Sequence, residues 1–320
     1  MAREKTKCVT SIGGQALIEG IMMRGPKKTA VAVRLPDKTI ETEELGVTAL
    51  RDRYKIFRVP IIRGLGGLID SFRIGYKALM LSADKSGLEE EADEEPSKFD
   101  KWLERVFGDK IMGIIMGIAS VLGVALAVLL FFMLPTWLFN LTTNVWPAIG
   151  EGSIYRAIFE GILRVLIFLL YLILCSRMKE IHRVFQYHGA EHKTIFCYEN
   201  QEELTVENVR KHVRFHPRCG TSFMIIMLML GIVIGFFIPF SNPFLRTAVK
   251  ILCIPVVVGI GFELIKICGK YDNIVTRVIS APGLWMQRIT TKEPDDEMIE
   301  VAISALKDVI PENGEDLIKK

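Results

Sequence analysis

The chain has no stripe of one charge sign. Forty basic residues stand against 37 acidic ones, for a net charge of +3, and the two signs alternate. That excludes the electrostatic footprint of a nucleic-acid binder. No glycine string has the G-x-G-x-x-G or lysine-bearing P-loop spacing, so a nucleotide-phosphate cradle is excluded too. No repeat of fixed period is present. Residues 1–20 are charged and then glycine-rich, against a secretory signal peptide. Six cysteines are too dispersed for a disulfide framework: Cys8, Cys197 and Cys219 fall on the expected reducing side, and Cys175, Cys253 and Cys268 lie in or near apolar segments. All six read as thiols. Histidine is scarcer still, with five residues, all between His182 and His216.

What is abundant is apolar sequence in blocks. Half the residues are hydrophobic and 24% are charged, and the charges avoid certain stretches. Ile111 to Leu134 and Ser222 to Ser241 carry none, at or above the roughly 20 residues that cross a bilayer core. Val165 to Ser176 reaches that length only by extending back through Arg164 and Glu160. Ile251 to Gly269 contains Glu263 and Lys266. Together these predict an α-helical polytopic membrane protein with about four transmembrane helices, the weaker pair having a buried or re-entrant hairpin as its alternative. Arg177 to Thr221 holds eight basic residues, whereas Pro135 to Arg156 and Ser241 to Thr247 hold one each. The positive-inside rule therefore puts the histidine loop and both termini in the cytoplasm, N-in/C-in. Trp137 and Trp146, with Pro135 and Pro147, suit the outer interface.

The domain boundaries follow. Residues 1–87 read as a small cytoplasmic β unit plus an amphipathic helix, 88–110 as an acidic linker (Leu88 to Lys98) and lead-in helix, 111–269 as the membrane domain with its cytoplasmic loop 177–221, and 270–320 as a cytoplasmic tail. In the β unit, Thr29 to Leu35 and Thr39 to Leu45 alternate in polarity around a Pro36-Asp37-Lys38 turn. The glycines of 13–20 read as packing positions. Pro60 to Leu81 carries a helical apolar stripe, with Arg63, Asp70, Arg73 and Lys77 on the other surface. It fits a helix on the inner leaflet or one packed on the soluble domain. Ala281-Pro282-Gly283 is expected to break the chain, leaving Leu284, Trp285 and Met286 to the interface, and Glu297 to Ile310 to form a short helix.

Chemistry is concentrated at His188-Gly189-Ala190-Glu191-His192. This is H-x-x-E-H, the inverted zinc-protease signature. On a helix it sets two imidazoles one turn apart, able to converge on one ion, with Glu191 beside them as general base for a metal-bound water. A catalytic zinc usually takes a third protein ligand. Glu263, a carboxylate in an apolar span, is one candidate; His216 and Cys219 are the others, His216 projecting from a turn set by Pro217. Without metal, His188 could instead hydrogen-bond Glu191 or Glu199. His212 reads as a surface residue and His182 as a headgroup contact. A Cys219 thiol with a lowered pKa, beside Arg218 and a helix start, is a weaker nucleophile reading.

The strings GGQALIEGIMMRGP (13–26), FQYHGAEHK (185–193), TVENV (205–209), HPRCGTSF (216–223) and TTKEPDD (290–296) resemble the YqhQ-like family of uncharacterised bacterial membrane proteins, over nearly the whole chain. The resemblance implies a bacterial cytoplasmic membrane and a metal-dependent enzyme, the latter resting on the same His188, Glu191, His192 and Cys219, and it marks 13–26 and 290–296 as belonging with the histidine loop.

Two functions follow. One is a membrane hydrolase using zinc or another divalent metal, acting on a lipid, peptide or other membrane-associated molecule. The other is a non-enzymatic accessory that docks another membrane protein in transport, assembly or quality control. The partners expected are the lipid bilayer and, for the second, another membrane protein. A transporter has only Glu263 and Glu160 in its favour, and no inverted repeat.

Overall fold

The computed structural model describes residues 6–87, 111–145, 153–271 and 273–319. The acidic linker and lead-in helix, together with Trp146 and Pro147, lie outside the described residues. The chain divides into two compact units, one of residues 1–88, 172–227 and 255–320, the other of 89–171 and 228–254.

The first unit is built on an antiparallel meander of β2 (Gly13–Leu17), β3 (Gly20–Arg24), β4 (Thr29–Arg34) and β5 (Ile40–Glu44), with β1 (Cys8–Thr10) pairing separately with β6 (Leu317–Lys319). Successive strand residues point to opposite faces, so TAVAVR splits. Ala30 and Ala32 join Ile21 and Met23 on one face, while Val31 and Val33 join Leu17 and Met22 on the other. The second face packs Ile74 and Ala78 of α1 (Ile62–Lys85). The first packs α5 (Lys179–Glu199) and α11 (Asp296–Lys307) through Tyr187, Ala190, Met298, Ile299, Ala302 and Leu306. Each large apolar side chain buried there contributes about 1.5–3 kcal/mol. The sheet is thus covered on both sides, which holds α5 in a fixed frame.

The expected strands on either side of Pro36-Asp37-Lys38 are present, with Asp37 Oδ1 accepting from the Thr39 N–H at 2.9 Å. The glycine string forms the β2–β3 hairpin. Its turn residue Glu19 takes a positive φ of 48° and ion-pairs with Arg183 of α5 at 2.5 Å.

α1 forms where the apolar stripe predicts a helix, but much of that stripe points outward. The helix buries Gly64, Gly66, Asp70, Ile74, Gly75, Ala78 and Ser82 and exposes Ile69, Phe72, Tyr76 and Leu79. The expected break at Ala281-Pro282-Gly283 is corrected. α10 (Ile274–Thr290) runs through Pro282, because tertiary contacts hold its second half: a Cβ at Gly283 would lie 2.7 Å from Ser222, and Gln287 is fully buried. Trp285 is exposed and Met286 buried.

Among the described residues, two stretches are long and apolar enough to cross a membrane. Gly117–Val145 runs through α2 (Ile111–Val128), a π-helical turn (Leu129–Met133) and α3 (Leu134–Val145). Ile154–Cys175 lies in α4 (Ser153–Cys175), the helix that does extend back through Arg164 and Glu160. A third span is possible if α8 (Pro243–Leu252) and α9 (Ile254–Lys270), bent by 46° between them, count as one. α7 (Gly220–Gly235) is apolar but 16 residues long. The structure therefore shows a mostly helical chain with two or three candidate spans and a small N-terminal antiparallel sheet. In the second unit the charges within apolar helices are paired. Glu160 accepts from Arg246 Nε at 3.0 Å and Lys250 Nζ at 2.5 Å, and Arg164 donates to the Phe131 carbonyl in the π turn at 2.8 Å.

Candidate metal centre

α5 places His188 and His192 on one face, ring centroids 4.4 Å apart. α7 begins just after Cys219, whose Sγ accepts from the Thr221 N–H at 3.4 Å and lies 3.1 Å from His188 Nε2. The ligand atoms of His188, His192 and Cys219 lie within 4.8 Å of one another. Three such atoms share a point no more than about 2.8 Å from each; the His188–Cys219 pair, at 3.1 Å, is already as close as the roughly 3.3–3.6 Å separations of tetrahedral zinc ligands, and the widest pair would close by no more than about 1.5 Å.

The other nitrogen of each ring settles its orientation. His188 Nδ1 donates to the Thr290 carbonyl at 2.8 Å and His192 Nδ1 to the Arg214 carbonyl at 2.5 Å. A carbonyl can only accept, so both Nδ1 atoms carry the hydrogen and both Nε2 atoms are left for a ligand role. Metal-bound histidines are fixed in this manner.

The electrostatics match a site for a cation. Burial pushes the Cys219 thiol up, but His188 and His192 outweigh it and hold it well below its ordinary value. Burial pushes His188 down, yet the Cys219 sulfur, with Glu191 behind it, raises the imidazole to about 9. His188 and Cys219 thus each favour the charged form of the other. Glu191 is 5% exposed. Burial raises its carboxyl above the usual range against the pull of His192 and His188, and its Oε1 accepts from the Gly14 N–H at 3.0 Å. A carboxyl poised upward beside two histidines that could hold a metal suits general acid–base work.

Packing explains the rest of the motif. A Cβ at Gly189 would run into the Lys292 carbonyl, so glycine admits the extended segment 291–295 that follows Thr290 at the end of α10. Lys193 and Arg214 both pair with Glu293 of that segment, Arg214 at 2.8 Å. Gln287 clamps the loop before Cys219, accepting from the His216 N–H at 2.7 Å and donating to the His216 carbonyl at 2.8 Å and Ser222 Oγ at 3.1 Å. Buried Glu199 pairs with Arg218 and accepts from the Thr10 N–H at 2.9 Å. The strings at 13–26 and 290–296 had flagged Gly14 and Thr290. No sequence signal marked Gln287, and Glu199, weighed as a partner for His188, pairs with Arg218 while His188 bonds the Thr290 carbonyl and Cys219.

Other candidates fall elsewhere. Glu263 pairs with Arg63, both carboxylate oxygens accepting from the Nε–Nη2 edge of the guanidinium. His216 is buried with its ring 5.5 Å from that of His192, but faces Glu199 at 3.9 Å, and burial lowers its pKa to about 4. His182 is exposed. His212 is corrected from surface to buried, because it caps α6 (Val206–Lys211) and its Nε2 lies 3.2 Å from Glu202. Cys197, near His212 and Glu202, donates to the Glu203 carbonyl at 3.5 Å. Burial raises its thiol to about 11. All six cysteines are free.

The family model described as "Protein of unknown function (DUF1385)" matches residues 59–312. The chain belongs to the DUF1385 family. It is also 33% identical over 307 residues to the uncharacterized protein YqhQ of Bacillus subtilis (strain 168), covering 96% of this chain and 94% of that protein. The YqhQ-like resemblance carried by the five strings is thereby shown. No solved structure matches the chain. Within the DUF1385 match lie all of His188, Glu191, His192 and Cys219, whereas Gly14 precedes it.

Proposed function

We propose that this protein is a metal-dependent membrane enzyme, a hydrolase with a His188–His192–Cys219 centre for zinc or a similar divalent ion. The observation that carries the reading is the pair of Nδ1 hydrogen bonds to backbone carbonyls, which leave two Nε2 atoms and one thiolate around a common point. Three protein ligands leave the fourth position for water, as in catalytic zinc sites. When bound, the ion would lower the pKa of that water toward 7. Glu191, anchored by Gly14, is then the base that takes its proton. His216 and Glu263 are outside the ligand set, since Glu199 and Arg63 already occupy them.

Four crossings with both termini inside is the topology that fits: α2–α3, α4, α7, and the bent pair α8–α9. The gathering of residues 1–88, 172–227 and 255–320 into one unit supports a common side for the N-terminus, the histidine loop and the C-terminus. The substrate would be a membrane-associated molecule reached from the cytoplasmic face.

Metal analysis of protein purified without chelator tests the reading. One equivalent is expected in wild type and in Glu191→Gln, with little in His188→Ala or Cys219→Ala. Wild type free of stoichiometric metal under these conditions, and unable to acquire added zinc, would refute it. The 3.1 Å contact between His188 Nε2 and Cys219 Sγ also favours a second reading, a thiol nucleophile. Rapid alkylation of Cys219 unaffected by added zinc would favour that one.

A further inference from the structure

The outward face of α1 is composed as if it met hydrocarbon rather than water. Ile69, Phe72, Tyr76 and Leu79 are all exposed, Phe72 at 69%, and their spacing of three to four residues makes one stripe. The inward face holds glycines, Ala78, Ser82 and a buried Asp70. A helix of a water-soluble unit normally does the reverse. Ile56 and Val59, just before the helix, extend the exposed apolar surface.

The charges around this stripe have one sign. Arg51, Arg53, Lys55, Arg58, Arg73 and Lys77 are exposed, and between residues 50 and 80 the single exposed acid is Asp52. Arg63 is taken up by Glu263, and Arg73 reaches the buried Asp70 at 3.5 Å while staying exposed. A second copy of the chain would bring cations against cations. An apolar stripe bordered by basic residues is complementary to an anionic bilayer surface, with rings in the acyl boundary and cations at the headgroups.

We infer that α1 and the segment from residue 51 lie in the plane of an anionic membrane leaflet, with Ile69, Phe72, Tyr76 and Leu79 inserted. This stands on α1 alone and does not depend on the metal centre. The sheet takes the inward face of α1, as the packed-helix alternative expected, and leaves the apolar stripe on the outer side for the leaflet.

The test uses the full chain in proteoliposomes. Phe72→Trp is placed in a background whose four native tryptophans are phenylalanine, with Lys38→Trp, on the exposed β4–β5 turn, as control. Brominated acyl chains are expected to quench the indole introduced on α1 and aqueous iodide to spare it, the control showing the opposite. In vesicles containing phosphatidylglycerol, Arg73→Glu with Lys77→Glu should lower the ratio of inserted to free helix by about fivefold per cation removed, and in pure phosphatidylcholine by much less. Quenching of the α1 indole by iodide would overturn the inference, as would protection from both quenchers that disappears on dilution, the mark of a second copy. If the tryptophan-free background does not fold, a photo-crosslinking phenylalanine at position 72 of the native chain must capture lipid; capture of protein alone overturns it.

Discussion

Replacing Cys219 removes the one thiolate of the ligand set, and the size of the loss can be worked out. Structural zinc in four-ligand peptide sites is bound with about 10–16 kcal/mol, or about 3–4 kcal/mol per ligand. At about 1.4 kcal/mol per tenfold, Cys219→Ala should weaken zinc about 10²–10³-fold. The remaining imidazoles keep their orientation, because the Thr290 and Arg214 carbonyls hold them independently of Cys219. Binding should therefore be weakened, not abolished, and the variant should still fold. Competition with a chromophoric chelator in detergent measures the ratio. Binding by Cys219→Ala within about threefold of wild type, well under the factor per ligand, would show that the sulfur is not a ligand.

Glu263→Gln tests the rival third ligand. It should leave metal content unchanged and cost about 1 kcal/mol or less through the partly exposed Arg63 pair, read as zinc stoichiometry beside thermal stability. Gly189→Ala drives a methyl into the Lys292 carbonyl; about 1–3 kcal/mol of destabilisation should accompany a loss of zinc as Thr290 moves, whereas Ala190→Gly should lose stability and keep metal. Glu160→Gln strips the counter-charge from buried Arg246 and Lys250 and should cost about 3–5 kcal/mol, seen as poor yield of folded protein in mild detergent. Burial pushes the Glu199 carboxyl up, but His216 and Arg218 outweigh it and hold it below its ordinary value. The native form therefore holds its proton less tightly than the unfolded form, and the stability this supplies is present above the unfolded pKa of about 4.3 and lost as pH falls below it. Wild type should lose stability faster than Glu199→Gln on acidification through that range; parallel curves would contradict the assignment.

Local pattern carried much of this fold. Alternating polarity located β4 and β5, and the length of the uncharged runs located α2–α3 and α7. The H-x-x-E-H spacing on a helix was enough to bring two imidazoles together. What failed to show was direction and long-range pairing. A helical period says that Ile69, Phe72 and Tyr76 share a face, not that the sheet takes the opposite one. Glu263 looked like an isolated carboxylate because its partner, Arg63, lies 200 residues away. Pro282 looked like a stop because the rule for proline is local, and the bonds of Gln287 that sustain the helix are not. His212 sits in a polar stretch, and only the cap of a short helix buries it. Cys219 could be named as a possible third ligand, but choosing it over His216 and Glu263 needed the Nδ1 partners and the ion pairs that occupy the other two.

X-ray absorption spectroscopy of the purified full-length protein, loaded with one equivalent of zinc, tests the central claim most directly. The account predicts one sulfur at about 2.3 Å, two imidazole nitrogens at about 2.0–2.1 Å and one further light atom, with the sulfur shell vanishing in Cys219→Ala. A shell without sulfur in the wild type, or zinc that washes out on dialysis, would contradict it.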